Sequence, residues 1–391
     1  MFLRSSCMLL PVSMAVLSQA SSQIPPNCKD FMLSIEASAE NWALPSYPNA
    51  TDVASLARYL SQTVPASNFT SKPKIPVSGT FNISARFCEP TQKVFEREQS
   101  VQLLLHGFLS SKSYWHGLDY PNATFDGQYS WAQHAASQGY YTLSIDNLGS
   151  GDSDRLDPIT VVQFPLQSQI LLRIIACLRS GTLTPRIPTK FNTVIMAAHS
   201  YGSLHARELT IAHPTSAADA YILTATAWNP LGLNAIVSAA TAGSASVVDP
   251  SLSHLQPAYM SGRLSAWEKY LYPPQGAVDP QLIAFEKSEF AHTYTVGELA
   301  SPKLNTTSDF TGPVLLITGR NDVLVCSPPG SNATTDCGVG NQSIPAQMAN
   351  VYPRAQFGFY VPDKTGHNIN LGYSATEAFG AAHMFLEEYG F

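Results

Sequence analysis

The run Phe191-Asn192-Thr193-Val194-Ile195-Met196-Ala197-Ala198-His199-Ser200-Tyr201-Gly202-Ser203-Leu204 constrains the fold more than any other stretch of the chain. An apolar, β-branched segment enters a turn of small residues, and a helical stretch, Leu204 to Ala212, follows. A strand that turns sharply into a helix tolerates only small neighbours two positions either side of the turn residue. Ala198 and Gly202 stand there, against glycine at both places in the G-x-S-x-G pattern. Such a turn projects the Ser200 side chain out of the sheet. A serine hydroxyl is a weak nucleophile until a base takes its proton. A serine so placed therefore implies a histidine, an acid and backbone donors elsewhere in the chain.

His367, in Asp363-Lys364-Thr365-Gly366-His367-Asn368, is the candidate base. Gln356 to Val361 before it alternates as a strand, and a helical pattern, Ala375 to Tyr389, follows. The chain has ten histidines, and this one is set apart by its loop after the last strand-type run. Asp322 is the candidate acid. Gly312 to Gly319 is a continuous apolar run, as expected of a strand buried on both faces. Arg320-Asn321-Asp322 follows at its C-terminal end, where ligand chemistry collects in open α/β sheets. Asp336 and Asp363 are the alternatives: Asp336 lies among Cys, Asn and Gly in a surface-type loop, and Asp363 is close to His367 in sequence. The strand-type run Val101 to Leu105 ends in His106-Gly107-Phe108. Its glycine lets the backbone turn, so the amides of Phe108 and Tyr201 are the candidate oxyanion donors. His106 reads as a loop brace.

These pieces stand in the order Ser, Asp, His, with the His-Gly turn upstream. A further segment, Tyr140 to Asp154, contains Asp146-Asn147-Leu148-Gly149-Ser150-Gly151-Asp152-Ser153. Together, over roughly residues 77 to 391, they resemble the α/β-hydrolase superfamily, and within it secreted fungal esterases or lipases. The resemblance implies an eight-stranded, mostly parallel sheet with helices on both faces and a helical cap inserted over the site. It implies a Ser200–His367–Asp322 triad, an acyl-enzyme and no cofactor or metal. In relatives that are epoxide hydrolases or dehalogenases the elbow residue is an aspartate, so Ser200 argues against those activities. Peptidases, thioesterases and acyl-transferring tailoring enzymes keep the same triad. A non-catalytic secreted binding glycoprotein would usually lack one of its members.

The alternation of strand-type runs at Val101, Tyr141, Thr193, Tyr221, Val314 and Phe357 with helical patterns itself argues for a parallel α/β sheet. Gly79 to Cys88 and Lys93 to Glu98 read as first antiparallel strands. Residues 21 to 76 read as an N-terminal extension packed on the core, with one amphipathic helix near Asp52 to Thr63. Asn229 to Asp309 interrupts the alternation with helical, aromatic sequence that includes Trp267, Tyr270 and Phe285, the position of a cap. Tyr114 and Trp115 after the His-Gly turn, and Trp228 at the end of the Tyr221 strand, are expected to line an aromatic pocket for a small-molecule or lipid-like ester.

Charged residues are only 13% of the 391-residue chain and the net charge is −6. With Lys and Arg scattered, no basic stripe serves nucleic acid, and no apolar run of about 20 residues past the N-terminus suits stable membrane insertion. Residues 1 to 20 read as a secretory signal: Arg4, an apolar stretch from Cys7 to Leu17, then Ser18-Gln19-Ala20. Seven Asn-x-Ser/Thr sequons, at Asn49, Asn68, Asn82, Asn122, Asn305, Asn332 and Asn341, agree with an extracellular glycoprotein. Of the cysteines beyond the signal, Cys326 with Cys337 and Cys28 with Cys88 are the expected disulfides. Cys177, in a helical apolar pattern, is expected as a buried thiol. Oligomeric state has no signature in the sequence.

Overall fold

The computed structural model describes residues 24–48, 52–63, 73–120, 127–228, 243–262, 264–289, 292–301, 307–326, 336–338 and 340–391. Among them an eight-stranded sheet organises the chain. Its strands are β1 (Cys28–Trp42), β2 (Lys74–Cys88), β3 (Ser100–Leu105), β4 (Tyr141–Ile145), β5 (Thr193–His199), β6 (Ala220–Thr224), β10 (Pro313–Ile317) and β11 (Gln356–Tyr360), in the order β1-β2-β4-β3-β5-β6-β10-β11. The three strands β7 (Gly243–Ser244), β8 (Tyr259–Ser261) and β9 (Tyr294–Thr295) form a separate antiparallel sheet. β2 runs antiparallel to β1 and β4, and every later pairing in the large sheet is parallel. β3, β5, β6 and β10 are almost wholly buried, which is why each reads as an unbroken apolar run rather than an alternating one.

The main helices are α1 (Val53–Thr63), α2 (Trp131–Ser137), α3 (Phe164–Ser180), α4 (Tyr201–Ala212), α5 (Leu264–Leu271), α6 (Pro280–Glu289) and α7 (Ala375–Glu388). Two large apolar clusters lie on the two faces of the sheet. Leu103, Leu105, Val194, Met196 and Leu316 pack with α3 and α4 on one, and Leu104, Ile195, Ala197 and Ile317 pack with α2 and α7 on the other. Alternate residues of the same strands thus serve opposite layers.

Three expectations need correction. Residues 21 to 76 are more than an extension packed on the core: β1 pairs with β2 over its whole length, from Cys28↔Cys88 to Trp42↔Lys74, so the sheet begins at Cys28 rather than near residue 77. Leu33, Ile35, Ala37 and Ala39 do alternate, but two of the four are alanine, and the strand's other face is exposed. The period-2 signal was therefore weak. Lys93 to Glu98 is not a strand. It holds a 3-10 turn at Phe95–Arg97, with Phe95 exposed, because its charged residues leave no buried face. The helix expected near Asp52 is α1. The interruption after β6 is a mixture of short helices and the small sheet rather than purely helical, and its residues 229–242 lie outside the described residues.

Cys28–Cys88 and Cys326–Cys337 are bonded, and Cys177 is a buried free thiol in α3. The first bond joins the start of β1 to the end of β2 at one end of their ladder. Asn82 and Asn341 are exposed. The other five sequons and the signal region lie outside the described residues. No described helix is long and apolar enough to cross a membrane.

Several imidazoles are buried in the fold, among them His116, His199, His205 and His383. Burial holds His205 and His383 down to about 3, and His116 and His199 well below 6.5. In the unfolded chain each takes its proton near pH 6.5, whereas in the fold each does so only at lower pH. Protonation thus favours the unfolded chain, and stability is lost as pH falls below about 6.5. Glu286 and Glu298, whose buried carboxyls are raised to about 7 and about 8, act with the opposite sign but are outnumbered. The thermal midpoint is expected to drop by several degrees between about pH 6.5 and about pH 4.5. Equal midpoints at the two pH values would contradict this.

Candidate active site

The parallel strands deliver their C-terminal ends to one edge of the sheet. Ser200 follows β5 and opens α4, with φ 52° and ψ −115°. This left-handed backbone is disfavoured for a residue with a Cβ and persists only where its surroundings enforce it. Three contacts do so. The Ser200 N–H donates to the Thr224 carbonyl at 2.9 Å, and the Ser203 N–H donates to the Ser200 carbonyl at 2.9 Å. The Ser203 hydroxyl lies 2.8 Å from the Ala198 carbonyl and 2.9 Å from that of Thr224. Ser203 is thus a brace that the sequence pattern did not mark.

The elbow sits hard against the end of β3. A Cβ on Gly202 would stand 2.6 Å from the Leu105 carbonyl oxygen, and one on Gly107 would stand 2.8 Å from the Ser200 Cβ. Both glycines are required by close approach, and they bring the Gly107–Phe108 backbone beside Ser200. The Phe108 and Tyr201 rings stack with centroids 3.8 Å apart. His106 does act as a brace: its Nδ1 lies 2.7 Å from the Gly107 carbonyl, and its Nε2 accepts from the Asn147 N–H at 3.0 Å.

Ser200, His367 and Asp322 meet. The His367 Nε2 lies 2.8 Å from the Ser200 Oγ, and its Nδ1 lies 2.9 and 3.0 Å from the two Asp322 oxygens. A carboxylate only accepts, so Nδ1 carries the proton and Nε2 is left to accept from the serine hydroxyl. Asp322 is fully buried, and its Oδ1 also accepts from the Leu324 and Val325 N–H groups, each at 3.1 Å. The loops after β10 and β11 are zipped together by Thr318 N–H to Tyr360, Arg320 N–H to Pro362 and Asn321 N–H to Thr365. The Cys326–Cys337 bond closes the loop just beyond Asp322. Asp336 and Asp363 go elsewhere, both to the exposed Arg320 guanidinium.

A cavity of about 100 Å³ opens at Ser200. It is lined by Phe108, Leu109, Leu204, Leu324, Val325 and Asn368 around Ser200 and His367, and by Trp267, Leu271 and Glu286 from the cap. The pocket expected from Tyr114, Trp115 and Trp228 is not this one. Tyr114 stacks on the buried His199 at 4.3 Å, and Trp115 packs edge-on against Trp131. Trp228 packs on the opposite face of the sheet. The first two follow the His-Gly turn in sequence but turn back into the core, where their area is better buried. Trp267, one of the expected cap aromatics, does line the cavity. Leu324, Val325 and Glu286 carried no local signal. Among the described residues, one group of Cys28, Cys88 and His116 brings possible metal donors together, but its two sulfurs are joined in a disulfide and are not thiolates.

A model of the alpha/beta hydrolase family matches residues 102–382. The chain belongs to the alpha/beta hydrolase family. Solved structures with the same fold include a thermophilic esterase from Thermogutta terrifontis, at 14% identity over 80% of this chain and 96% of that one, TM-score 0.51. MenH from S. aureus matches at 16% identity over 78% and 99%, TM-score 0.51. A laboratory-evolved variant of potato epoxide hydrolase matches at 14% identity over 79% and 97%, TM-score 0.51. At these identities the likeness is one of fold. A search of curated proteins by sequence returns no match.

Because Gly202 abuts backbone rather than a movable side chain, Gly202→Ala is expected to force the elbow apart from β3 and to cost about 1–3 kcal/mol of stability. Denaturant unfolding measures it. A variant as stable as the natural protein would show that the elbow has slack.

Proposed function

We propose that this hydrolase cleaves carboxylic esters through an acyl-enzyme on Ser200. The observation that carries the reading is the continuous hydrogen-bonded line from Ser200 through His367 to the buried Asp322. In this reading His367 takes the Ser200 proton as the hydroxyl attacks the carbonyl, then returns it to the leaving alcohol. Asp322 holds the imidazole in the tautomer that accepts from serine and stabilises the imidazolium. The Phe108 and Tyr201 amides hold the oxyanion of the tetrahedral intermediate, a role supported by the close approach of Gly107 to Ser200. Water at Nε2 then releases the acid. Neither a metal nor an organic cofactor takes part.

The cavity, lined in part by Trp267 and Leu271, supports a small, mainly apolar acyl or alcohol group. Serine at the elbow, in place of the aspartate that epoxide opening would require, favours ester cleavage over the activity of the potato neighbour. Acyl transfer to an alcohol or amine, or peptide cleavage, would use the same groups. The apolar lining favours the ester. The signal-like segment, the sequons and the two disulfides support secretion as a glycoprotein, since such bonds persist in oxidising compartments.

Ser200→Ala and His367→Ala are each expected to lower turnover of p-nitrophenyl esters by about 10³-fold or more, and the double variant by little more than either, because the residues act as a unit. Asp322→Asn should cost a similar or somewhat smaller factor. Natural protein no faster than Ser200→Ala on every acyl length would overturn the reading.

A further inference from the structure

Among the described residues, Glu286 is the one ionisable side chain that the cap contributes to the cavity holding Ser200 and His367. It lies on α6 and is only 6% exposed. The same cavity is lined by Leu109, Leu204, Trp267, Leu271, Leu324 and Val325, with Ser110, Thr226 and Asn368. Among the described residues no salt bridge reaches it. Lys287, next on the helix, pairs instead with Glu268 at 2.6 Å, and both are well exposed. A carboxyl in apolar surroundings is costly unless donors satisfy it. Burial pushes this one up to about 7, with the Tyr272 hydrogen bond opposing the rise and Glu268 adding to it.

Its position is fixed from behind. The Tyr272 hydroxyl donates to the Glu286 Oε2, and the Asn368 side-chain amide donates to the Tyr272 oxygen at 2.8 Å. Asn368 directly follows His367, and its N–H donates to the Leu271 carbonyl at 3.0 Å. The acid is therefore held in register with the reacting groups rather than hung on a mobile arm. Tyr272 engages one oxygen, while a carboxylate offers about four acceptor sites. That leaves acceptor capacity on a residue that lines the cavity.

We propose that Glu286 is a specificity-determining residue that accepts a hydrogen bond from a hydroxyl or ammonium group carried by the substrate. The preferred substrates are then apolar esters bearing one donor group, not plain alkyl esters. The inference rests on the reading of Ser200 as nucleophile for the placement of the ester carbonyl. The competing role for Glu286 is purely structural, as the partner of Tyr272. Loss of that role would weaken all esters alike, whereas loss of donor recognition changes their ranking.

The test compares methyl esters of hexanoic acid and of its far-end hydroxy and amino derivatives. Natural protein, Glu286→Gln and Glu286→Met are assayed for kcat/KM. The same three esters are titrated by calorimetry against Ser200→Ala, alone and combined with each Glu286 change. Natural protein is expected to favour at least one donor ester over the plain one by about tenfold or more, and Glu286→Met to remove that preference. Glu286→Gln, which keeps an acceptor and loses the charge, should retain a hydroxyl preference and lose an ammonium one. This arm identifies the donor and stands in should Glu286→Met not fold. The inference is overturned by natural protein that does not distinguish the three esters, or by a folded Glu286→Met with the natural ranking. Failure of the nucleophile reading shows separately, as natural protein no faster than Ser200→Ala. The calorimetric ranking still decides the role of Glu286 in that case.

Discussion

One strained residue organises this molecule. Ser200 is held in the left-handed region, which an L side chain enters at a cost of about 1–3 kcal/mol. The structure around it enforces that conformation. β3 and β5 approach so closely at their ends that only glycine fits at 107 and 202. The Ser203 hydroxyl occupies the space beneath the turn, bonded to strand carbonyls on both β5 and β6. The same closeness that forces the backbone also brings the Phe108 amide region beside the serine. The proposed nucleophile and oxyanion donors thus come from one packing solution at the junction of neighbouring strands.

The second half of the site depends on burying a carboxylate. Asp322 is inaccessible to water and takes two backbone N–H donors besides the imidazole. A buried acid with three donors holds a histidine at fixed orientation without paying the rotamer entropy of an exposed pair. Its loop is joined to the histidine loop by backbone bonds and closed by a disulfide. The histidine loop is in turn joined to the cap through Leu271. Cap and reacting groups are therefore coupled mechanically, and a change in the cap's seating would reach His367 through Asn368.

Much of this was legible in the residues because the relevant signals are local and repeated. Unbroken apolar runs marked the buried parallel strands, and Ser200 and Asp322 each follow such a run, whereas His367 follows the alternating, half-exposed β11. The failures have physical causes. β1 hides its alternation behind Ala37 and Ala39 and a polar outer face, so its strand is stabilised by a partner more than thirty residues away. Tyr114 and Trp115 stand next to the oxyanion turn in sequence, yet their direction is set by a kinked 3-10 segment that sends them into the core. Glu286 looks like any charged residue of a surface helix. Its burial depends on how α6 settles on the cavity, which no local pattern carries.

The central claim is that Ser200 forms a covalent acyl intermediate. Rapid-quench mass spectrometry of the intact protein mixed with a p-nitrophenyl ester tests it most directly, followed by peptide mapping. The account predicts an early mass increase equal to one acyl group, located on the peptide containing Ser200 and missing in Ser200→Ala. Turnover with no adduct at any quench time under conditions where deacylation limits the rate, or an adduct on another residue, would contradict it.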